Sequence, residues 1–157
     1  MSFDGLPVEP VRTFLSFERR REAEFADIRE CAELPPVRRG GDLLGAIELT
    51  IGPVTLLGPD WVSDIELLWG AVADLVAGYR ETGHAKVRFP DQSAHITLEP
   101  VPPGLIRITV AGEPYRETAV TGEEKLLSAL EVGAAEFFAK LFELTGRSVA
   151  GRTGSST

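Results

Sequence analysis

One cysteine, one methionine and two histidines are all that this chain carries of soft or imidazole ligands. Cys31 has no partner for an internal disulfide, so a reducing, cytoplasmic setting is expected. His84 and His95 have only Asp91 or Glu99 to complete a metal site, whereas zinc and iron sites bring three or more protein ligands at recognisable spacing. Neither a metal nor a cofactor is expected. Positive charge is short as well. The net charge is −8 at pH 7, and phosphate binding needs a basic footprint, so nucleic acid and anionic membranes are not the expected partners. The apolar runs fall well short of the roughly 20 residues that span a bilayer. The opening MSFDGLPVEP lacks a basic stretch followed by an apolar one, so no secretory leader is expected.

Catalytic motifs are missing in the same way. No Gly-x-Ser-x-Gly elbow is present, Ser93 and His95 sit two apart across a turn, and Ser63 reads as a helix cap. Cys31 has no base near it in sequence, and Glu123-Glu124 is explained by a helix start. Arg38 to Asp42 is a glycine-containing loop without the Gly-Lys-Ser/Thr ending of a phosphate-binding loop. The Arg19, Arg20, Arg21 cluster is interleaved with Glu18, Glu22, Glu24 and Asp27, the pattern of a solvated surface. The expectation is a binding protein rather than an enzyme, with no catalytic residue assigned.

What is present is a fold. The chain has 157 residues, 43% of them hydrophobic, enough for one domain that buries roughly 70% of its unfolded surface. Residues 61–83 carry Ile65, Leu68, Trp69, Val72, Leu75, Val76 and Tyr79 at spacings of three and four, which is one face of an α-helix. Ser63 with Glu66 forms a capping-box signal, and Gly83 stands at the left-handed C-terminal cap. A second stripe, Leu126, Leu127, Leu130, Ala134, Phe137, Phe138, Leu141 and Leu144, follows a Thr121–Glu124 capping signal and ends at Gly146.

Between the helices the pattern switches to alternation. Four strands over residues 84–121 turn at Pro90–Ser93, Pro102–Gly104 and Gly112–Pro114, which implies an antiparallel meander with one wet face. Residues 43–57 alternate too, and a hairpin is expected at Gly52-Pro53. Glu, Arg and Ala dominate the stretch from Glu18 to Leu34, which reads as a weak helix. The fold class is α+β, an antiparallel sheet with two long amphipathic helices packed on one face. The domain is expected over residues 13–146, with a flexible arm at 1–12 and a disordered tail at 147–157.

Trp69 in the helix, Phe89-Pro90-Asp91-Gln92 closing the next strand, and the strand-strand-helix order after it carry a resemblance. The span 61–146 resembles a group of uncharacterised small actinobacterial proteins, which implies an α+β fold and no particular activity. In size, acidity and architecture the chain is also similar to immunity proteins of bacterial toxin systems. The wet face would carry Lys86, Arg88, Arg107 and Arg116, relieved by Glu99, and Trp61 reads as either a hydrophobic staple or an exposed anchor. These five are the candidate binding residues. The leading function is a non-enzymatic protein-binding protein, an immunity protein or antitoxin that neutralises a partner. The alternative is a small-molecule or enzymatic domain with a pocket between sheet and helices, lined by His84 or His95.

Overall fold

The computed structural model describes residues 5–19, 22–36 and 43–153. The glycine-containing loop at 38–42, the Arg20-Arg21 pair and the last four residues of the tail lie outside them. The chain is α+β, with all strand pairing antiparallel and two long helices. No helix among the described residues is long and apolar enough to cross a membrane.

The meander is present as four strands in sequential order: β6 (Ala85–Arg88), β7 (His95–Val101), β8 (Leu105–Gly112) and β9 (Tyr115–Gly122). Ile96, Leu98, Ile106, Ile108 and Val110 point to the core, as their period of two requires. Beside it stands another sheet, ordered β2 (Glu22–Asp27), β1 (Arg12–Arg19), β3 (Leu44–Ile51), β4 (Val54–Leu57), with the two-residue β5 (Ser63–Asp64) against β3. β3 and β4 turn at Gly52-Pro53, where Gly52 takes a φ of 56° that favours glycine.

The helix expected from Glu18 to Leu34 is not formed. That stretch supplies the end of β1, the strand β2 and a single 3-10 turn at Ile28–Glu30. Its Glu, Arg and Ala content favours a helix only weakly. A strand paired with β1, which is itself paired with β3, satisfies the same backbone groups and brings Leu15 and Ile28 into the core. β2 is the sheet edge, where charged residues are the usual protection against stray pairing.

Helix α1 (Ile65–Thr82) buries all seven residues of its stripe. Its cap differs from expectation. Asp64 Oδ1 accepts from the Leu67 N–H at 3.0 Å, while Ser63 is held one residue earlier by pairing with Gly45. Gly83 closes the helix at φ 84°, its N–H donating to the Tyr79 carbonyl at 2.7 Å. Helix α2 (Glu123–Thr153) starts later than the Thr121 signal and runs past Gly146 into the expected tail. Thr121 belongs to β9, and its hydroxyl donates to the Leu6 carbonyl instead of capping. Phe137 is fully buried, whereas Phe138 from the same stripe is 39% exposed.

Both helices touch both sheets: α1 meets β3, β5, β6 and β7, and α2 meets β1, β8 and β9. One continuous core results. The two helices close on each other where Trp69 stacks on Phe137, with ring centroids 6.4 Å apart. Gly133 permits that approach, since a Cβ there would lie 2.6 Å from the indole. Arg80 ties the outer rims, its Nη2 lying 2.7 Å from Glu124 and 2.8 Å from Glu131. The described part of the segment expected as an arm, from Gly5 on, pairs with both sheets: Gly52 N–H donates to the Pro7 carbonyl at 2.8 Å, and the Leu6 N–H to the Val120 carbonyl.

The hydroxyl of Tyr79 is buried without a hydrogen-bond partner among the described residues. Burial, with the nearby Glu123 carboxylate adding to it, pushes its pKa up to about 12. An unpaired buried hydroxyl stabilises nothing, so Tyr79→Phe is expected to leave stability unchanged or raise it by up to about 1 kcal/mol. Urea denaturation midpoints read this directly; a clear loss would mean that the hydroxyl is bonded in solution.

Candidate functional site

Strand register sets out the outer face of the meander in rows. Arg88, His95, Ala111 and Arg116 stand opposite one another across the four strands, and Lys86, Thr97, Thr109 and Thr118 form the next row. Glu99 faces Arg107 one row further on. Lys86, Arg88, Arg107 and Arg116 are all exposed. None of the four is in a salt bridge with another described residue. The threonines keep the row between them polar and uncharged, with Thr109 Oγ1 3.1 Å from Thr118 Oγ1.

Trp61 is not on that face. It lies at the end of the meander, in a 3-10 turn at Pro59–Trp61 that leads into β5 and α1. Its ring stacks on Phe89 with centroids 4.9 Å apart and meets Tyr115 at 5.1 Å and 73°. The tetrapeptide Phe89-Pro90-Asp91-Gln92 holds this corner in place. Asp91 Oδ2 accepts from the Asp64 N–H at 3.2 Å, and Gln92 Nε2 donates to the Val62 carbonyl at 2.6 Å and to Ser63 Oγ at 3.2 Å. A sequence expected only to turn the chain therefore docks the start of α1 onto the meander. Tyr115 was absent from the candidate list, because a tyrosine opening an edge strand carries no signal of its own.

Three surface depressions meet around this corner. The first, about 340 Å³, is lined by Asp60, Trp61, Gln92, Glu113, Pro114 and Tyr115 among others. A wider one of about 800 Å³ lies on the outer face beside His95, Ala111, Tyr115 and Arg116. The third opens between Arg88 and Ser93. The turn from Gly112 to Tyr115, in which the Glu113–Pro114 peptide is cis, lines both of the first two. Of the five candidate residues, the structure gathers Trp61, Arg88 and Arg116 around this end, and leaves Lys86 and Arg107 further along the sheet. His84 is exposed on the connection after α1, away from these depressions.

A fourth depression, about 350 Å³, surrounds Cys31 with Phe17, Phe25, Glu24, Glu30 and Glu33. The thiol donates to the Asp27 carbonyl at 3.4 Å. Burial outweighs the opposing Lys140 charge and, with the Asp27 and Glu30 charges adding to it, pushes its pKa up, the opposite of what a nucleophilic cysteine needs. Among the described residues, no cluster of three or more His, Cys, Asp or Glu side chains is placed to hold a metal ion. Comparison with protein-family models, curated proteins and solved structures finds no match to this chain.

Proposed function

We propose that this is a non-enzymatic protein-binding protein that engages an acidic partner through the outer face of the meander. One observation carries the reading. A chain with a net charge of −8 keeps Lys86, Arg88, Arg107 and Arg116 on a single sheet face, without salt bridges to other described residues and with only Glu99 among them. Surface cations in an acidic protein are more simply placed as partners for its own carboxylates, as Arg12, Arg29 and Arg80 are. Four on one sheet face, in no salt bridge with a described residue, suit a complementary negative surface. The half-exposed ring of Tyr115 beside Arg116 adds an aromatic anchor of the kind that dominates interface energetics. Within this class, an immunity protein or antitoxin fits the size, acidity and architecture.

The test uses the double variant Arg88→Glu, Arg107→Glu. Its stability is expected to stay within about 0.5 kcal/mol of the parent, because both side chains are exposed. As bait in a lysate of the source cells, the parent is expected to recover an acidic protein that the variant does not. With that protein purified, stopped-flow association at low salt should be slower by about tenfold or more in the variant. Equal association rates would remove the basic face from the mechanism.

A further inference from the structure

We propose that the corner between Trp61 and Tyr115 is a binding site for an organic ammonium cation, such as a quaternary or methylated ammonium head. This site adjoins the basic face, sharing Tyr115 with it, and has the opposite preference. Four observations place it. Two aromatic rings meet at 73° with centroids 5.1 Å apart, and both line one open depression of about 340 Å³. The only charged side chains lining that depression are Asp60 and Glu113. Neither carboxylate is in a salt bridge with a described residue, and both are exposed. Trp61 is held in place: its ring stacks on Phe89 at 4.9 Å, its backbone N–H donates to the Gly58 carbonyl at 2.9 Å, and the carbonyl of the following Val62 accepts from Gln92 Nε2.

The chemistry selects the ligand class. Aromatic faces attract cations through their quadrupole, tryptophan most strongly, and recessed aromatic rings backed by carboxylates suit soft, weakly hydrated ammonium groups. An anion in this depression would meet two carboxylates and no lining cation, since Arg116 and His95 line only the adjoining wider depression. A hard divalent metal needs several oxygens converging on one point, whereas Asp91 and Gln92, the neighbouring polar side chains, are already engaged on Asp64, Val62 and Ser63. Preorganisation of the indole lowers the ordering cost of binding.

Tetramethylammonium is the first probe, followed by choline and by a short peptide carrying trimethyl-lysine, with 3,3-dimethylbutanol as the uncharged isostere of choline. Titration is followed by the indole N–H resonances, where Trp61 is expected to shift and the fully buried Trp69 to stay still. The ammonium probes should bind about tenfold more tightly than the neutral isostere, and Asp60→Asn with Glu113→Gln should weaken them by a similar factor. Tyr115→Leu, an exposed change that leaves folding intact, should also weaken binding. Tighter binding of choline than of the peptide marks a free small molecule as the natural source; the reverse marks a modified protein tail. Equal binding of the neutral isostere, or indifference to all three substitutions, would overturn the assignment.

Discussion

Trp69→Ala is expected to lower the unfolding free energy by about 3–5 kcal/mol, as for other large aromatic truncations in cores. The side chain is completely buried and joins three parts of the molecule. Its indole N–H donates to Thr13 Oγ1 of β1 at 3.0 Å, its ring stacks on Phe137 of α2, and its backbone belongs to α1. Truncation opens a cavity where both helices and the first sheet converge and strands the buried Thr13 hydroxyl. Trp69→Phe retains most of the volume and isolates the hydrogen bond, for an expected loss of about 1–2 kcal/mol. Gly133 supplies the cross-check. Gly133→Ala should be costly alone, because its Cβ would lie 2.6 Å from the ring. Beside Trp69→Ala it should be close to harmless, since alanine is the better helix former by about 1 kcal/mol. Equilibrium denaturation of the four proteins completes a double-mutant cycle. Additive losses would mean that the ring and α2 do not touch in solution.

The second large effect centres on Asp27. Its carboxylate is 4% exposed and accepts from the Arg29 N–H at 2.9 Å, Arg29 Nη2 at 2.9 Å and Arg12 Nε at 3.1 Å. Arg29 reaches on toward Glu136 of α2 at 3.9 Å, and Arg12 toward Glu48 of β3 at 3.8 Å, so one buried acid anchors a network that joins β1, β2, β3 and α2. Hydrogen bonding from Arg29 outweighs the burial that opposes it and, with Arg12, brings the Asp27 pKa from 3.8 down to about 2. A carboxylate depressed on folding contributes stability that is full above its unfolded pKa and is lost as pH falls toward the folded one. For Asp27 that window runs from about pH 4 to about pH 2. The linked contribution is at most about 2 kcal/mol, because the two arginines are half-exposed and their fields are screened. Asp27→Ala, which removes the acceptor of the Arg29 N–H and of both guanidinium groups, is expected to cost about 2–3 kcal/mol at neutral pH. Asp27→Asn should cost less and should flatten the acid limb of the stability profile. An unchanged profile between pH 2 and pH 4 in that variant would place the acid sensitivity elsewhere.

Local periodicity was enough to define α1 with all seven buried residues, the Gly83 cap, the four-strand meander and the Gly52-Pro53 hairpin. In each case neighbouring residues alone encode the signal: a stripe of period 3.6, an alternation of period two, or a glycine at positive φ. Parity along the strands likewise puts Lys86, Arg88, Arg107 and Arg116 on one face. Elsewhere the tertiary structure decided between options that the local sequence left nearly equal. The stretch from Glu18 to Leu34 became a hairpin strand and a turn because β3 offered β1 a ladder and Arg12 and Arg29 could neutralise Asp27 on burial. Ser63 and Thr121, both suited to cap a helix, were drawn into pairing with Gly45 and bonding with Leu6, so Asp64 took over at α1. The Trp61–Phe89–Tyr115 corner was invisible in the chain, because three separate segments build it and each of its residues has an ordinary local role. Propensity differs by tenths of a kcal/mol per residue among most residue types, whereas long-range burial and pairing act with whole kcal/mol, and where the two disagreed the long-range terms prevailed.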